Sequence, residues 1–192
     1  MPLTPLATVD QLAAYLQQPL PALDPSATLM LTIASAMVRD YLQQDITATA
    51  NDVVLLDPIG GAYVLLPELP VTSVTLVETL DPSVVPSVWR TADPTTYMVS
   101  RRMGMIAATP STGVAWGFIP ESWRVTYSHG FAVVPDGLVG VVLGVAARTY
   151  STPAGAEMER IGGYQVKYAM QADGFNPLEK AALARYVVAR VA

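Results

Sequence analysis

The stretch Trp123-Arg124-Val125-Thr126-Tyr127-Ser128-His129-Gly130-Phe131-Ala132-Val133-Val134-Pro135-Asp136-Gly137-Leu138 divides two textures. Residues 123–127 have the length and composition of a β-strand. Helical texture returns at Pro135, and residues 138–150 are apolar nearly all round, which marks a helix covered on most sides rather than one lying on a surface. Gly137, Gly140 and Gly144 each cost roughly 1 kcal/mol relative to Ala inside a helix, and the use that offsets this is close approach of another backbone.

Upstream of this divide, short β-branched runs at 53–56, 63–66, 71–78, 88–91 and 97–101 are punctuated by Pro, Gly and Asp. Pro58-Ile59-Gly60-Gly61 links the first two as a turn, and Asp81-Pro82 and Asp93-Pro94 mark further breaks. With 123–127 these runs predict an antiparallel β subdomain. Two helices precede it. Thr8 and Gln11 have capping-box spacing ahead of Leu12, Tyr15 and Leu16, and Pro19 and Pro21 end that segment. Asp24 as N-cap and Pro25 as first helical residue open the second helix. Its stripe is Leu29, Ile33, Met37 and Tyr41, widened by Met30, Ala34 and Val38, so it is expected to face two neighbours.

Downstream, Ile161-Gly162-Gly163-Tyr164 reads as a two-residue hairpin turn, because paired glycines accept the positive φ that such turns demand. Tyr164, Val166, Tyr168 and Met170 then share one face of a half-buried strand. Asn176, Pro177 and Glu179 start a last helix that is expected to run to the chain end through Leu183, Tyr186, Val187 and Val191. The predicted fold is α+β: a single domain over 1–192, helical at 1–50 and 131–192. Two N-terminal and two C-terminal helices form a bundle, with an antiparallel β subdomain inserted at 51–130 and a β-hairpin near 157–170.

Composition narrows the function. Of 192 residues, 52% are apolar and 14% charged, more oily than an average soluble domain. The longest apolar run, 138–147, falls short of the ~20 residues that cross a bilayer, so no membrane span is expected. Met1-Pro2-Leu3-Thr4-Pro5 does not have a signal-peptide pattern, so export is not expected either. The apolar excess is therefore assigned to surfaces buried between subunits, and an obligate oligomer is expected. Cysteine is absent, which removes disulfides, thiolate metal sites and Cys nucleophiles. Net charge is −5, with nine Arg and two Lys, too small a positive reserve for tight nonspecific DNA binding.

No catalytic constellation is recognisable. His129 is the only histidine, which excludes a multi-histidine metal site within one chain, and it is read as a turn residue bonded to backbone. The sixteen carboxylates are scattered at helix starts and turns, without a calcium loop or a distinguished pair. The glycine pairs lack the order of a phosphate-binding loop, and neither a cofactor nor a metal is expected. Arg101-Arg102 is the densest positive spot. As adjacent strand residues the two would point to opposite faces, which favours solvated or salt-bridged side chains over a DNA contact. Trp89, Trp116 and Trp123 are read as core or interface anchors.

Several local strings, in this order, resemble the head-to-tail connector adaptors of long-tailed bacteriophages. They are Tyr127-Ser128-His129-Gly130-Phe131, Val134-Pro135-Asp136, an apolar helix ending Ala146-Ala147-Arg148, Pro153-Ala154-Gly155, and Ile161-Gly162-Gly163-Tyr164-Gln165-Val166-Lys167-Tyr168. The resemblance covers both ends of the chain well and the β insert loosely. It implies a non-enzymatic virion protein, made in the host cytoplasm. Such a protein forms a homo-oligomeric ring, usually of twelve, in the neck beneath the portal protein. The ring bridges the portal to a stopper or tail-completion protein and lets DNA pass without specific binding. On that analogy Tyr164, Val166, Tyr168, Tyr186, Val187 and Val191 are portal or subunit interface candidates. Twelve copies at −5 would carry a ring charge of about −60, which would repel a sliding duplex rather than hold it. Removal of everything after Pro153 is expected to leave a soluble fold that no longer docks.

Other readings stay open at this point. A stopper or tail-terminator ring is the nearest. A carboxylate-dependent hydrolase acting on cell-wall or glycan substrates would need two close carboxyl groups in a concave pocket. A glycan-binding module would need an exposed Trp89, Trp116 or Trp123 platform.

Overall fold

A computed structural model describes residues 3–59, 63–109, 119–151, 158–161, 164–167 and 174–188, the strand residues 158–161 and 164–167 by backbone alone. The chain divides into two compact units, Met1–Gln43 with Val134–Ala192, and Gln44–Val133.

The first unit contains four helices among the described residues: α1 (Val9–Leu16), α2 (Pro25–Leu42), α3 (Asp136–Ser151) and α4 (Pro177–Ala184). Three starts follow the sequence rules. Thr8 and Gln11 close a capping box, Asp24 accepts from Ser26 and Ala27 N–H, and Asn176 and Glu179 close a second box. Helix α3 lies against the other three, which explains why it is apolar nearly all round. The core is Leu12, Leu31, Val38, Leu42, Leu138, Val142 and Leu183, with Phe175 edge-on to Tyr41. Each such side chain contributes roughly 1.5–3 kcal/mol by leaving water.

Three expectations here need correction. The buried face of α2 is Ala27, Leu31, Ala34, Ser35, Val38, Arg39 and Leu42, so Leu29 and Ile33 of the expected stripe face solvent. Ser35 and Arg39 take buried positions because their side chains hold the N-terminal segment: Ser35 Oγ accepts from Leu6 N–H, and Arg39 donates to the Thr4 carbonyl. The α3 glycines do not admit a backbone either. A Cβ at Gly144 would sit 2.9 Å from Glu179 Oε1, so that glycine makes room for a carboxylate, whereas Gly140 faces open space. The last helix stops at Ala184, ahead of Tyr186, Val187 and Val188, whose aromatic and β-branched side chains lose rotamer freedom in a helix. In this unit β8 (Met158–Ile161) also pairs antiparallel with β9 (Tyr164–Lys167), Ile161 opposite Tyr164.

The second unit is the β insert. Its strands are β1 (Thr49–Leu56), β2 (Tyr63–Leu65), β3 (Val71–Asp81), β4 (Val88–Thr91), β5 (Tyr97–Ser100), β6 (Met105–Ala108) and β7 (Trp123–His129). They form two antiparallel sheets, ordered β1-β7-β3-β4 and β2-β6-β5. Both sheets contribute to one core of Val64, Leu66, Val71, Val77, Ile106, Trp123, Val125 and Tyr127. Strand β6 was not expected, since Met105-Ile106-Ala107-Ala108 has little β-branched character. It is nonetheless the middle strand of its sheet, with Ile106 fully buried. The strand expected at 97–101 ends at Ser100, and 101–104 is a turn. Strands β1 and β2 are consecutive but belong to different sheets.

The insert is also wider than 51–130, because its two ends pair with each other. Thr47 bridges to Phe131, Phe131 N–H donates to the Ile46 carbonyl at 2.8 Å, and Ala48 N–H donates to the Phe131 carbonyl at 3.1 Å. Gly130 sits inside this closure at φ +84°, and an added Cβ would overlap the Thr47 carbonyl, so only glycine fits.

Candidate assembly surfaces

The residues singled out from sequence fall in both units. Tyr164 and Val166 are on β9, while Tyr168 and Val191 lie outside the described residues. Tyr186 follows α4, half-buried, with the Arg185 guanidinium 5.0 Å from its ring centre. Val187 beside it is 42% exposed. Arg101 and Arg102 are both exposed in the turn between β5 and β6, so the alternation argument that separated them does not apply.

The other arginines whose side chains are described are engaged. Arg148 forks onto Glu179, itself close to nine-tenths buried, at 2.7 and 3.0 Å. Arg124 forks onto Glu78 at 2.6 and 2.7 Å and lies over the Trp89 ring. Its hydrogen bond, reinforced by its charge, holds the Glu78 carboxyl below the usual range. Arg90 pairs with Asp81 at 2.7 Å, although Asp81 is held low first by the Ser83 hydroxyl. Arg39 and Arg185 have the partners given above. Helix and turn caps act similarly on Asp24, lowered first by the Ala27 N–H, and on Asp93, lowered first by the Thr95 N–H.

Sequence reasoning missed most of the exposed apolar surface. Strand β1 lies at a sheet edge and turns Val53 and Leu55 outward at 56% and 49% exposure. Met98, Val99 and Met103 flank the arginine turn, also exposed, and Leu29, Ile33 and Leu178 are exposed on α2 and α4. The alternation of β1 was the one available signal, and it was masked by the apolar inward residues Val54 and Leu56. Where β1 ends, Asp57 Oδ1 accepts the Glu121 N–H at 2.6 Å, tying one exposed acidic residue to the backbone of another.

The features a catalytic or sugar-binding site would need are distributed otherwise. His129 is buried as the last residue of β7, not in a turn, and its ring leans on Tyr127. Its Nε2 is 3.4 Å from Asp52 Oδ2 without closing a hydrogen bond, and Ser128 Oγ points away to accept from the Asn51 N–H. Burial raises the Tyr127 hydroxyl well above its ordinary range. Trp123 is buried and Trp89 half-buried under Arg124, while Trp116 lies outside the described residues. Among the described residues no group of three or more His, Asp or Glu is placed to hold a metal, and no helix is long and apolar enough to cross a membrane.

Two solved structures share this architecture over almost the whole chain. A chain in the neck of a native GTA particle computed with C12 symmetry superposes with a TM-score of 0.59 at 19% identity, covering 96% of this chain and 90% of that one. A chain of the virion of a native gene transfer agent (GTA) particle gives 0.60 at 19% identity with the same coverage. This chain has the fold of those neck and virion chains. At that identity the likeness is one of architecture. No family model and no curated protein matches the sequence.

Proposed function

We propose that this chain is a non-enzymatic structural subunit of a phage-like particle neck, a head-to-tail adaptor that forms a ring of about twelve copies. In this reading the ring docks beneath the portal, joins the capsid to a stopper or tail-completion protein, and lines the channel through which DNA leaves. The observation that carries the reading is the shared fold, over 96% of this chain, with a chain from a neck computed with C12 symmetry. Exposed apolar residues on both units, among them Leu29, Ile33, Val53, Leu55 and Val187, give such a subunit surfaces to bury. Tyr164, Val166, Tyr168, Tyr186, Val187 and Val191 are its portal or neighbour contacts, and Arg101 and Arg102 its salt-bridge or channel contacts.

Electron microscopy of the purified protein, alone and mixed with portal-bearing heads, tests this. Closed rings seated on the portal are expected. A monomer that ignores the heads at high concentration would overturn the reading, and rings that join heads only through another neck protein would favour a stopper. Truncation after Pro153 is not a clean test, because α4 supplies Leu183 and Glu179 to the helical core.

A further inference from the structure

We propose that the β5–β6 turn of one copy docks on the β1 side of the insert of a second copy, Arg101 and Arg102 against Asp57 and Glu121. This rests on the ring reading above and names one contact that builds the ring.

The starting point is the unspent charge of the insert. Residues 44–133 contain eight carboxylates and four arginines. Arg90 and Arg124 are consumed by Asp81 and Glu78. Arg101 and Arg102 have no carboxylate partner among the described residues. Two guanidinium groups without a carboxylate partner among the described residues thus remain, on adjacent residues of an otherwise acidic unit.

Their turn is a fixed platform. Ser100 pairs with Met105 across it, the Leu66 N–H donates to the Gly104 carbonyl at 2.7 Å, and Gly104 adopts φ +60° with its α-carbon face against Leu69. The turn's backbone is thus ordered before docking, and the ordering cost falls on the arginine and methionine side chains alone. Met103, at 64% exposure, and Met98 flank the arginines with adaptable apolar surface. The receiving surface has the opposite sign and the same oiliness. Val53 and Leu55 project from the edge strand β1, just past which the Asp57 carboxylate is held by the Glu121 N–H, and neither acidic side chain meets a cation among the described residues.

Two different, complementary patches on one subunit make a head-to-tail contact, the kind that closes rings. A duplex is the weaker occupant for the turn. Gripping phosphates takes many clustered cations, and here two arginines stand among apolar side chains on a net-negative unit.

The test compares wild type, R101E/R102E and R101E/R102E/E121R by light scattering and negative-stain microscopy, with thermal melts to verify folding. The double variant is expected to raise the concentration at which rings appear at least tenfold, and the triple variant to recover most of that. Wild-type rings should also dissociate as salt rises from about 0.05 to about 0.5 M, since exposed pairs are screened. If wild type forms rings and the double variant forms them equally well, this contact is overturned while the ring reading stands. If wild type forms no ring even with portal-bearing heads, both fall. Intact rings from the double variant that have lost retention of duplex DNA would overturn the contact in favour of a phosphate partner.

Discussion

The helical unit and the β insert hold their polar groups together over different sequence distances. In the helical unit the helix starts are capped locally, Thr8 with Gln11, Asp24 with Ser26 and Ala27, Asn176 with Glu179, and longer bonds tie Leu6 to Ser35, Thr4 to Arg39, Asp24 to Tyr150 and Glu179 to Arg148. In the insert they join residues far apart in the chain, Asp57 to Glu121, Glu78 to Arg124, Asn51 to Ser128, and Ile46 to Phe131. Helices satisfy their backbone within four residues, whereas strands depend on partners that only the fold brings near. The two units should therefore fail separately. They can be watched separately too, since Trp89, Trp116 and Trp123 all lie in the insert while α1 to α4 lie outside it.

The largest effect is expected from Gly130→Ala, where positive φ and the Thr47 carbonyl leave no room for a methyl group. We expect a loss of about 3 kcal/mol or more, seen in denaturant by tryptophan fluorescence and much less in the helical circular dichroism. Equal shifts in both signals would break the comparison.

The converse probe is Arg148→Met. It leaves the mostly buried Glu179 with its capping bonds, at a cost of about 2 kcal/mol since Arg148 itself is partly in water, and should move the helical transition while sparing the tryptophan one. An unchanged helical transition would show that the fork contributes nothing there.

Acid gives the smallest separation. Glu78, Asp81 and Asp93 in the insert and Asp24 in the helical unit all titrate below their ordinary values when folded. The unfolded chain takes up protons first, so the stability they give is present above the ordinary carboxylate range near pH 4 and is lost as pH falls through the lowered folded values. With three such groups against one, the tryptophan transition should shift further than the helical one between about pH 5 and pH 2. The shift is modest because these carboxylates face solvent.

The same difference in range explains what could be read from sequence. The helix starts were legible because a cap and its partner lie three residues apart, and the long apolar α3 declared its burial outright. The ends of α1 and α2 were less so, although Pro19 and Pro21 bounded α1 to within a few residues. Each closes on a glutamine in the left-handed region, Gln17 and Gln43, where no glycine signals the stop. The outward turn of Leu29 and Ile33 escaped notice because Ser35 and Arg39, polar in sequence, are held in the buried face by Leu6 and Thr4. In the insert the strands were legible by composition, but β6 was lost for want of β-branched residues and the sheet partners were invisible to local pattern. Among candidate surfaces, the charge of Arg101 and Arg102 is legible in the sequence, but their turn is not, because Tyr97 to Arg101 has the composition of a strand. The acid pair that ends β1 comes from positions 57 and 121, a pairing no local spacing reveals.

The seam joining Ile46, Thr47 and Ala48 to Phe131 makes the insert a cassette. A chain that leaves and returns through one seam places little demand on what lies beyond it, since the entropy of closing a loop grows only slowly with its length. A cassette of another length should therefore leave the buried residues of the helices, Leu12 to Leu183, as they are. Grafting a foreign β module between residues 46 and 131 would put that to use.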